Sequence, residues 1–359
     1  MTDLSTIKTV AEVAAPLTGA IVDTWLRPKL ATFFKHQKVD RALIEEAFVS
    51  KFDEYLQRSL ERQSYITTIV FQNQPRKLDD LYIPLTIEST NHRDAIKLDS
   101  FRSELLSGGS RILITDTAGM GKSTALRFLF LSAIRQNVGI PIFVELRQLS
   151  TERSVLDIML RDMAAVDEPV DKDFILKLLR RGDFIFFLDG YDEISYEHRD
   201  AVTTELQQFI SKAPKNRFLL SSRPEIPLTS FAAFRAYSIK PLTKPEAYAL
   251  IRRYDAGGSV AERIIEKLDE PSSDAIDHFL TNPLLVSLLY RSYQYKPIVP
   301  LRKDIFYRQV YDSLFEQHDL TKGGAFVREK RSKLDIEAFP SRLAGAGLPD
   351  RHTRRGAVQ

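Results

Sequence analysis

The chain has 359 residues, 43% hydrophobic and 28% charged, which is the balance of an ordinary globular protein with room for about two domains. Its 51 Lys and Arg against 48 Asp and Glu give a net charge of +3, too even to indicate a nucleic-acid-binding protein. It contains no cysteine, which excludes disulfides and thiolate zinc sites and favours a cytoplasmic location.

The first 110 residues carry no recognisable catalytic motif. Residues 1–75 are predicted to form an N-terminal helical region, because apolar residues such as Leu43, Phe48 and Phe52 recur at helical spacing. An apolar run near the N-terminus is too short and too interrupted to span a membrane. Residues 76–110 are predicted to be a linker with strand-like segments, one of them at 81–87.

From residue 111 to residue 242, short apolar runs alternate with helical segments. The runs have strand length and lack polar alternation, which is typical of parallel strands that are buried on both faces. We therefore expect an α/β fold whose core is a parallel sheet with helices on both faces. The runs lie at 112–115, 140–146, 184–188, 218–221 and 237–239.

The segment from Ile112 to Thr124 has the pattern of a strand, a glycine-containing loop and a helix start, which is that of a P-loop NTPase. The glycines at 119 and 121 allow the loop to wrap a phosphate with its N–H groups pointing inward. Lys122 is then placed to bind the β and γ phosphates, and the Ser123 hydroxyl to bind Mg²⁺. The expected nucleotide-binding residues are Asp116, Thr117, Ala118, Gly119, Met120, Gly121, Lys122, Ser123 and Thr124.

The loop departs from the usual P-loop pattern at one position. Asp116 stands where the pattern has a glycine. A carboxylate at the rim of the site repels an anion and is expected to weaken affinity for a triphosphate, although this position lies farthest from the phosphates.

A second motif follows the third apolar run, where the sequence reads Asp189-Gly-Tyr-Asp-Glu193. At the carboxyl end of a buried strand, Asp189 would lie beside the P-loop and hold Mg²⁺ through water. Asp192 and Glu193 can orient or deprotonate the attacking water. Arg223, which follows the fourth run, is placed to sense the γ phosphate. A solvated polar loop after a core strand is the plainer alternative for these residues.

Helical patterns dominate after residue 242. Thr243 and Glu246 form a capping box with Pro245 in the first turn, which predicts a helix start. Apolar residues recur at helical spacing again between 301 and 320. The periodicity is lost from about Ser341, and residues 341–359 are predicted to be a disordered tail.

Four motifs, in this order, resemble those of NACHT domains, a branch of the STAND signal-transduction NTPases. They are the P-loop, Asp189-Gly-Tyr-Asp-Glu193, Ser221-Ser-Arg-Pro224 and Thr281-Asn-Pro-Leu-Leu-Val-Ser-Leu-Leu289. The resemblance covers about residues 80–320. It implies a strand between the P-loop strand and the strand before Asp189, a helical lid at 243–300 whose Pro283 packs on the adenine, and a winged helix at 301–340. That winged helix would be incomplete, as in a C-terminally truncated chain.

The family includes bacterial antiphage proteins and innate-immune receptors of animals and fungi. The resemblance implies a protein that binds ATP or ADP with Mg²⁺, hydrolyses ATP slowly, and changes state by self-association in response to an unknown trigger or effector. Three other functions stay open at this stage: a P-loop kinase, a DNA-remodelling ATPase, and a scaffold that binds nucleotide only for stability.

Overall fold

The computed structural model describes residues 41–320, apart from gaps at 73, 91–93, 102–104, 106–109, 165–169, 271–276 and 301, together with Asp23 and Arg27. Most of residues 1–40, the segment 321–340 of the expected winged helix, and the expected tail at 341–359 lie outside the described residues. Among the helices in the described ranges, none is long and apolar enough to cross a membrane.

Strands and helices alternate through the middle of the chain, as the apolar runs predict. The strands are β1 (Tyr65–Ile66), β2 (Arg76–Lys77), β3 (Thr86–Ser89), β4 (Ala95–Lys97), β5 (Arg111–Thr115), β6 (Ile140–Glu145), β7 (Phe184–Asp189), β8 (Arg217–Ser222) and β9 (Arg235–Ile239). The helices are α1 (Arg41–Ser64), α2 (Leu78–Leu81), α3 (Lys122–Arg135), α4 (Val155–Met163), α5 (Lys172–Arg181), α6 (Arg199–Lys212), α7 (Lys244–Asp255), α8 (Val260–Leu268), α9 (Asp277–Leu280), α10 (Pro283–Tyr295) and α11 (Lys303–Leu320).

Seven strands form one central sheet in the order β4-β3-β9-β5-β8-β7-β6. The five strands from β9 to β6 are parallel, so their carboxyl ends share one edge of the sheet. Strand β8 lies between the P-loop strand β5 and strand β7, which ends in Asp189. The arrangement brings the loops that follow β5, β7 and β8 together at one place, where a parallel sheet usually binds its ligand.

Helices cover both faces of this sheet, as expected for an α/β fold. Successive residues of a strand point to opposite faces, and β7 illustrates the consequence. Phe187 packs edge-on against Phe130 of α3, whereas Phe186 packs edge-on against Phe209 of α6. Both phenylalanines of the strand are fully buried. The continuous apolar run in the sequence therefore reflects burial on two sides.

The sheet is mixed, because the segment expected to be a linker adds two antiparallel strands at one edge, β3 and the outermost strand β4. Strand β3 pairs antiparallel with both β9 and β4. The strand expected at 81–87 begins only at Thr86, since helix α2 ends at Leu81 and extended residues follow. Pro84 lies in this extended stretch and has no N–H to donate to a ladder. The strand-like apolar pattern here arises from burial of Tyr82, Ile83 and Leu85.

Helix α1 packs against the core of the protein. The Tyr55 hydroxyl donates a hydrogen bond of 2.9 Å to the carbonyl oxygen of Pro141 in β6. The guanidinium of Arg58 donates to the carbonyl oxygens of Asp162 and Ala164, at the end of α4. Phe52 is fully buried. The described part of the N-terminal helical region is therefore continuous with the core around the central sheet.

The helices after the sheet form a group that reaches back over it. The capping box predicted at Thr243 and Glu246 is confirmed, and α7 begins immediately after Thr243. Helix α10 contacts α7, α9 and α11. The helical periodicity between 301 and 320 corresponds to α11, which begins at Lys303. Its assignment to a winged helix stays a prediction.

Candidate functional site

The loop between β5 and α3 has the backbone that a phosphate cradle requires. Gly119 and Gly121 adopt φ angles of 83° and 91°, in the left-handed region that L side chains rarely occupy. Helix α3 begins at Lys122, so its first N–H groups and the positive end of its dipole face the loop. The glycine positions in the sequence are thus explained by backbone geometry.

The Asp116 carboxylate has two main-chain partners that the sequence did not predict. One carboxylate oxygen accepts a hydrogen bond of 3.0 Å from the main-chain N–H of Ile239, at the end of β9. The other accepts one of 2.7 Å from the N–H of Thr117. The carboxylate therefore ties the start of the loop to the neighbouring strand, a contact that a glycine cannot make.

Lys122 is half-buried and lies against the loop that precedes it. Its ammonium group donates to the carbonyl oxygens of Asp116 and Thr117 at 2.6 and 2.8 Å. Burial lowers the pKa of Lys122, and the nearby carboxylates of Asp192 and Asp116 oppose that effect. The acids around the site thus favour the charged ammonium that a phosphate would require.

Asp189 and Ser123 come together at the carboxyl end of β7. The Ser221 hydroxyl donates a hydrogen bond of 2.6 Å to one oxygen of Asp189 and accepts one from the N–H of Gly190. Burial raises the pKa of Asp189, while hydrogen bonds from Ser221 and Ser123 counteract it. A hydroxyl and a carboxylate are hard oxygen donors, and Mg²⁺ in phosphate sites commonly uses one or two carboxylates. The two residues fit the metal site predicted from the sequence.

Asp192 and Arg223 form an ion pair across two loops. One oxygen of Asp192 accepts a hydrogen bond of 2.9 Å from the main-chain N–H of Arg223, and the other lies 3.0 Å from its guanidinium Nε. Asp192 is 10% exposed and Arg223 is 57% exposed. Glu193 is exposed beside them. The expected water-positioning acid is therefore paired directly with the expected phosphate sensor.

The amino end of helix α10 lies on the P-loop. The N–H of Leu284 donates a hydrogen bond of 3.2 Å to the carbonyl oxygen of Gly119. The side-chain amide of Asn282 donates to the carbonyl oxygen of Ala118 at 3.2 Å, and its oxygen caps the helix. A Cβ atom added at Gly119 would lie 2.7 Å from the Cβ of Leu284. The packing is close enough that a side chain at position 119 must displace the helix.

A cavity of about 440 Å³ connects these elements and falls in the size range of small-molecule sites. Its polar end is formed by the loops after β5, β7 and β8, and its other end is apolar. Most of the predicted residues line it: Ala118, Gly119, Gly121, Lys122, Ser123, Thr124, Asp192, Glu193, Arg223 and Pro283. Asp116, Thr117, Met120 and Asp189 are not among the residues that line it.

The apolar end of the cavity includes residues that the sequence did not predict. Ile66 and Ile69 follow α1, and Ile83 and Leu85 precede β3. Helix α7 adds Leu250 and Tyr254, while α10 adds Pro283 and Leu284. The strand-like apolar stretches upstream of the P-loop indicated in the sequence that these residues would be buried. No local pattern indicated which distant loop they would pack against. Pro283 does lie at this end.

The fold and the site together define a P-loop nucleotide-binding domain. More specifically, the family model of the NACHT domain matches residues 110–257. The match begins just before β5 and ends after α7. It includes the P-loop and the loops that carry Asp189, Asp192 and Arg223. It leaves out α10 and the segments before β5 that line the apolar end of the cavity.

Two solved structures have partial similarity to the chain. PCH-2 of C. elegans is 14% identical with a TM-score of 0.32, covering 60% of this chain and 65% of that one. A single-residue variant of Thermotoga maritima RuvB is 12% identical with a TM-score of 0.32, covering 59% and 65%. The chain therefore spans less than two thirds of either protein. No curated protein matches the chain at a significant level.

Proposed function

We propose that the protein binds ATP with Mg²⁺, hydrolyses it slowly, and uses the nucleotide state as a switch. One observation carries this proposal. Lys122, Ser123, Asp192 and Arg223 line the polar end of a single cavity, and apolar side chains from helices α7 and α10 and from the segments before β5 form its other end. A nucleoside triphosphate has the same division, with an anionic tail and a flat, largely apolar base.

Binding of the phosphates would rest on the P-loop and Lys122. The ammonium group now bound to two loop carbonyls can move to the β and γ oxygens, because those carbonyls are uncharged acceptors and the phosphates are anionic. Ser123 and Asp189 would hold Mg²⁺, which neutralises charge that develops on the phosphates during transfer. The base would lie among the apolar side chains, with Pro283 and Leu85 in contact with its faces or edges.

Hydrolysis would depend on Asp192, with Glu193 as the nearest second acid. A water molecule attacks the γ phosphorus, the bond to the β-bridging oxygen breaks, and ADP and phosphate leave. Asp192 can orient that water and accept its proton, provided that its carboxylate is released from Arg223. A γ phosphate attracts the Arg223 guanidinium and so offers a reason for that release. Binding of the triphosphate would thereby prepare the acid for its role.

The switch would operate through helix α10. Its N-cap and first turn are hydrogen-bonded to the carbonyl oxygens of Ala118 and Gly119. A change in the conformation of the loop on nucleotide binding would therefore move the helix. Helix α10 contacts α7, α9 and α11, which provides a continuous path to the following segment. We propose that this movement controls self-association in cytoplasmic defence signalling, with a trigger and an effector of unidentified chemistry. The NACHT match supports this setting.

The test begins with the protein purified without added ligand. Its nucleotide content is identified by mass spectrometry, and phosphate release from ATP is measured on the same sample. Lys122→Ala should lower ATP affinity at least tenfold, because a hydrogen bond to a charged group contributes about 1.5–3 kcal/mol. Lys172→Ala is the matched control, since Lys172 is an exposed lysine in the first turn of α5.

Three results would contradict the proposal. ATP affinity that is equal in Lys122→Ala and the parent would exclude the P-loop as the binding site. Tight binding of ATP without any phosphate release would indicate a scaffold that binds nucleotide only for stability. Transfer of phosphate to an added alcohol in preference to water would instead identify a kinase.

A further inference from the structure

Arg199 occupies a position between the two loops that hold Asp192 and Arg223. It is the first residue of α6, and its guanidinium makes three hydrogen bonds. One nitrogen donates to the carbonyl oxygens of Asp192 and Ile194, both at 3.1 Å. Another donates to a carboxylate oxygen of Glu225 at 3.0 Å. Arg199 thus binds the backbone of the loop after β7 and the side chain of the loop after β8.

Two arginines therefore join the two loops: Arg223 starts from the loop after β8, and Arg199 starts from helix α6. Glu225 lies two residues beyond Arg223, on the same loop. Arg223 extends from that loop to the carboxylate of Asp192. Arg199 extends from α6 to the main chain of the Asp192 loop and to Glu225. Displacing Glu225 would remove the link from Arg199 to the loop that carries Arg223 and leave only the contacts between Arg223 and Asp192.

Thr203 of α6 connects the backbone of Arg199 to the loop after β7. The Thr203 hydroxyl donates a hydrogen bond of 2.6 Å to the carbonyl oxygen of Arg199. The same Thr203 oxygen lies 2.6 Å from the hydroxyl of Tyr191, which is fully buried and belongs to the Asp192 loop. Arg199 and Glu225 are mostly buried, with 19% and 23% of their side chains exposed. Partial burial lowers solvent screening of the pair and makes its geometry more restrictive than that of a surface ion pair.

We propose that Arg199 and Glu225 are positioning residues for ATP hydrolysis, acting through Arg223 and Asp192. This inference rests on the proposed function. The pair sets the distance between the two loops, so that Arg223 can leave Asp192 for the γ phosphate without the loops separating. Neither Arg199 nor Glu225 lines the cavity, so the pair contributes to the rate of hydrolysis and leaves nucleotide affinity nearly unchanged. Misplacement of reacting groups by about 1 Å can reduce a rate by roughly a hundredfold.

The central variant is Glu225→Gln, which keeps the shape of the side chain and removes its charge. We expect kcat to fall about tenfold to a hundredfold, with the Kd for ATP within about twofold of the parent. Arg199→Lys should recover part of the activity that Arg199→Met loses, because a lysine retains the charge but cannot reach three acceptors at once. Glu262→Gln is the matched control, since Glu262 forms an exposed ion pair with Arg252 on the lid.

A double-variant cycle tests whether the pair acts through Arg223. Glu225→Gln is combined with Arg223→Ala, and kcat, the Kd for ATP and the thermal unfolding midpoint are measured for all four proteins. If the inference is correct, Glu225→Gln has little further effect on kcat once Arg223 is absent. It is overturned by an unchanged kcat in Glu225→Gln, by equal losses in both backgrounds, or by a loss of kcat that a lower unfolding midpoint accounts for. A parent that binds ATP but releases no phosphate overturns the proposed function as well, and that result is seen before any variant is made.

Discussion

The side-chain amide of Asn282 donates a hydrogen bond to the carbonyl oxygen of Ala118 and thereby joins the N-cap of helix α10 to the P-loop. The same side chain uses its oxygen to accept from the N–H groups of Leu284 and Leu285. One residue thus serves two different purposes through two different atoms. Because the purposes are chemically separate, a single substitution can remove one and keep the other.

Asn282→Asp should weaken the contact between helix α10 and the P-loop without weakening the helix cap. Aspartate is as good an N-cap as asparagine, and its charge favours a helix amino end. It cannot donate to the Ala118 carbonyl, and it places a negative charge beside that oxygen. We expect nucleotide release to accelerate by roughly fivefold, which corresponds to about 1 kcal/mol. Stopped-flow displacement of a fluorescent nucleotide measures this rate.

Asn282→Ala provides the comparison, because alanine loses both the cap and the donor. Its unfolding midpoint should fall, whereas that of Asn282→Asp should not. Equal nucleotide release rates in Asn282→Asp and the parent would mean that helix α10 is not coupled to the P-loop through this hydrogen bond.

Gly119→Ala should displace helix α10, and Gly257→Ala should not. Both glycines have positive φ, at 83° and 89°, so alanine brings a similar backbone strain of about 1–2 kcal/mol at each. The added Cβ at 119 would meet Leu284 at 2.7 Å, whereas at 257 nothing lies within 4 Å. Isothermal titration with ATP should therefore show a loss of affinity in Gly119→Ala alone. Equal affinities in the two variants would show that the loop and helix α10 are not in close contact in solution.

Asp116→Gly restores the usual P-loop residue, yet we expect it to be harmful. It removes the acceptors for the N–H groups of Ile239 and Thr117, which should lower the free energy of unfolding by about 1–3 kcal/mol. Affinity for ATP should not rise, because the carboxylate is directed at β9. Urea denaturation and ATP titration check the two parts separately. A gain in affinity at unchanged stability would restore the view that Asp116 repels the triphosphate.

Asp192→Asn should slow hydrolysis by roughly a hundredfold, or about 3 kcal/mol, while ATP remains bound. The amide cannot take a proton from water, and it can still accept the main-chain N–H of Arg223. Glu193→Gln is the matched variant, since Glu193 is the adjacent exposed acid. Single-turnover phosphate release distinguishes them. A normal rate in Asp192→Asn with a slow one in Glu193→Gln would transfer the role to Glu193.

The parts of this protein that local sequence patterns predicted are those fixed by nearest neighbours in the chain. The positive φ at Gly119 and Gly121 follows from the loop between β5 and α3, and the capping box at Thr243 follows from two residues three apart. Burial of β7 on both faces follows from its continuous apolar run. In each case, the information lies in a short stretch of neighbouring residues.

Long-range contacts escaped prediction because nothing in the sequence gives their partner. Asp116 accepts a hydrogen bond from Ile239, which is 123 positions away in the chain. The loop sequence alone therefore showed only a departure from the usual P-loop pattern. Arg199 is an ordinary helical arginine in the sequence, and only the fold brings Glu225 to it. Antiparallel pairing of β3 with β9 likewise joins residues that are far apart in the chain, such as Ile87 and Ile239.

Part of the apolar wall of the cavity is formed by residues well upstream of the P-loop. Ile66, Ile69, Ile83 and Leu85 all precede Ser110, where the matched family region begins. A shortened protein that starts at Ser110 would keep every charged group of the cradle and lose much of the enclosure around the base. A unit that keeps this wall therefore starts at or before Tyr65, ahead of the β1–β2 hairpin, and one that also keeps the core contacts of Phe52 and Tyr55 includes helix α1. Any exchange of N-terminal domains between relatives would have to cut ahead of that hairpin, or bring with it a replacement wall.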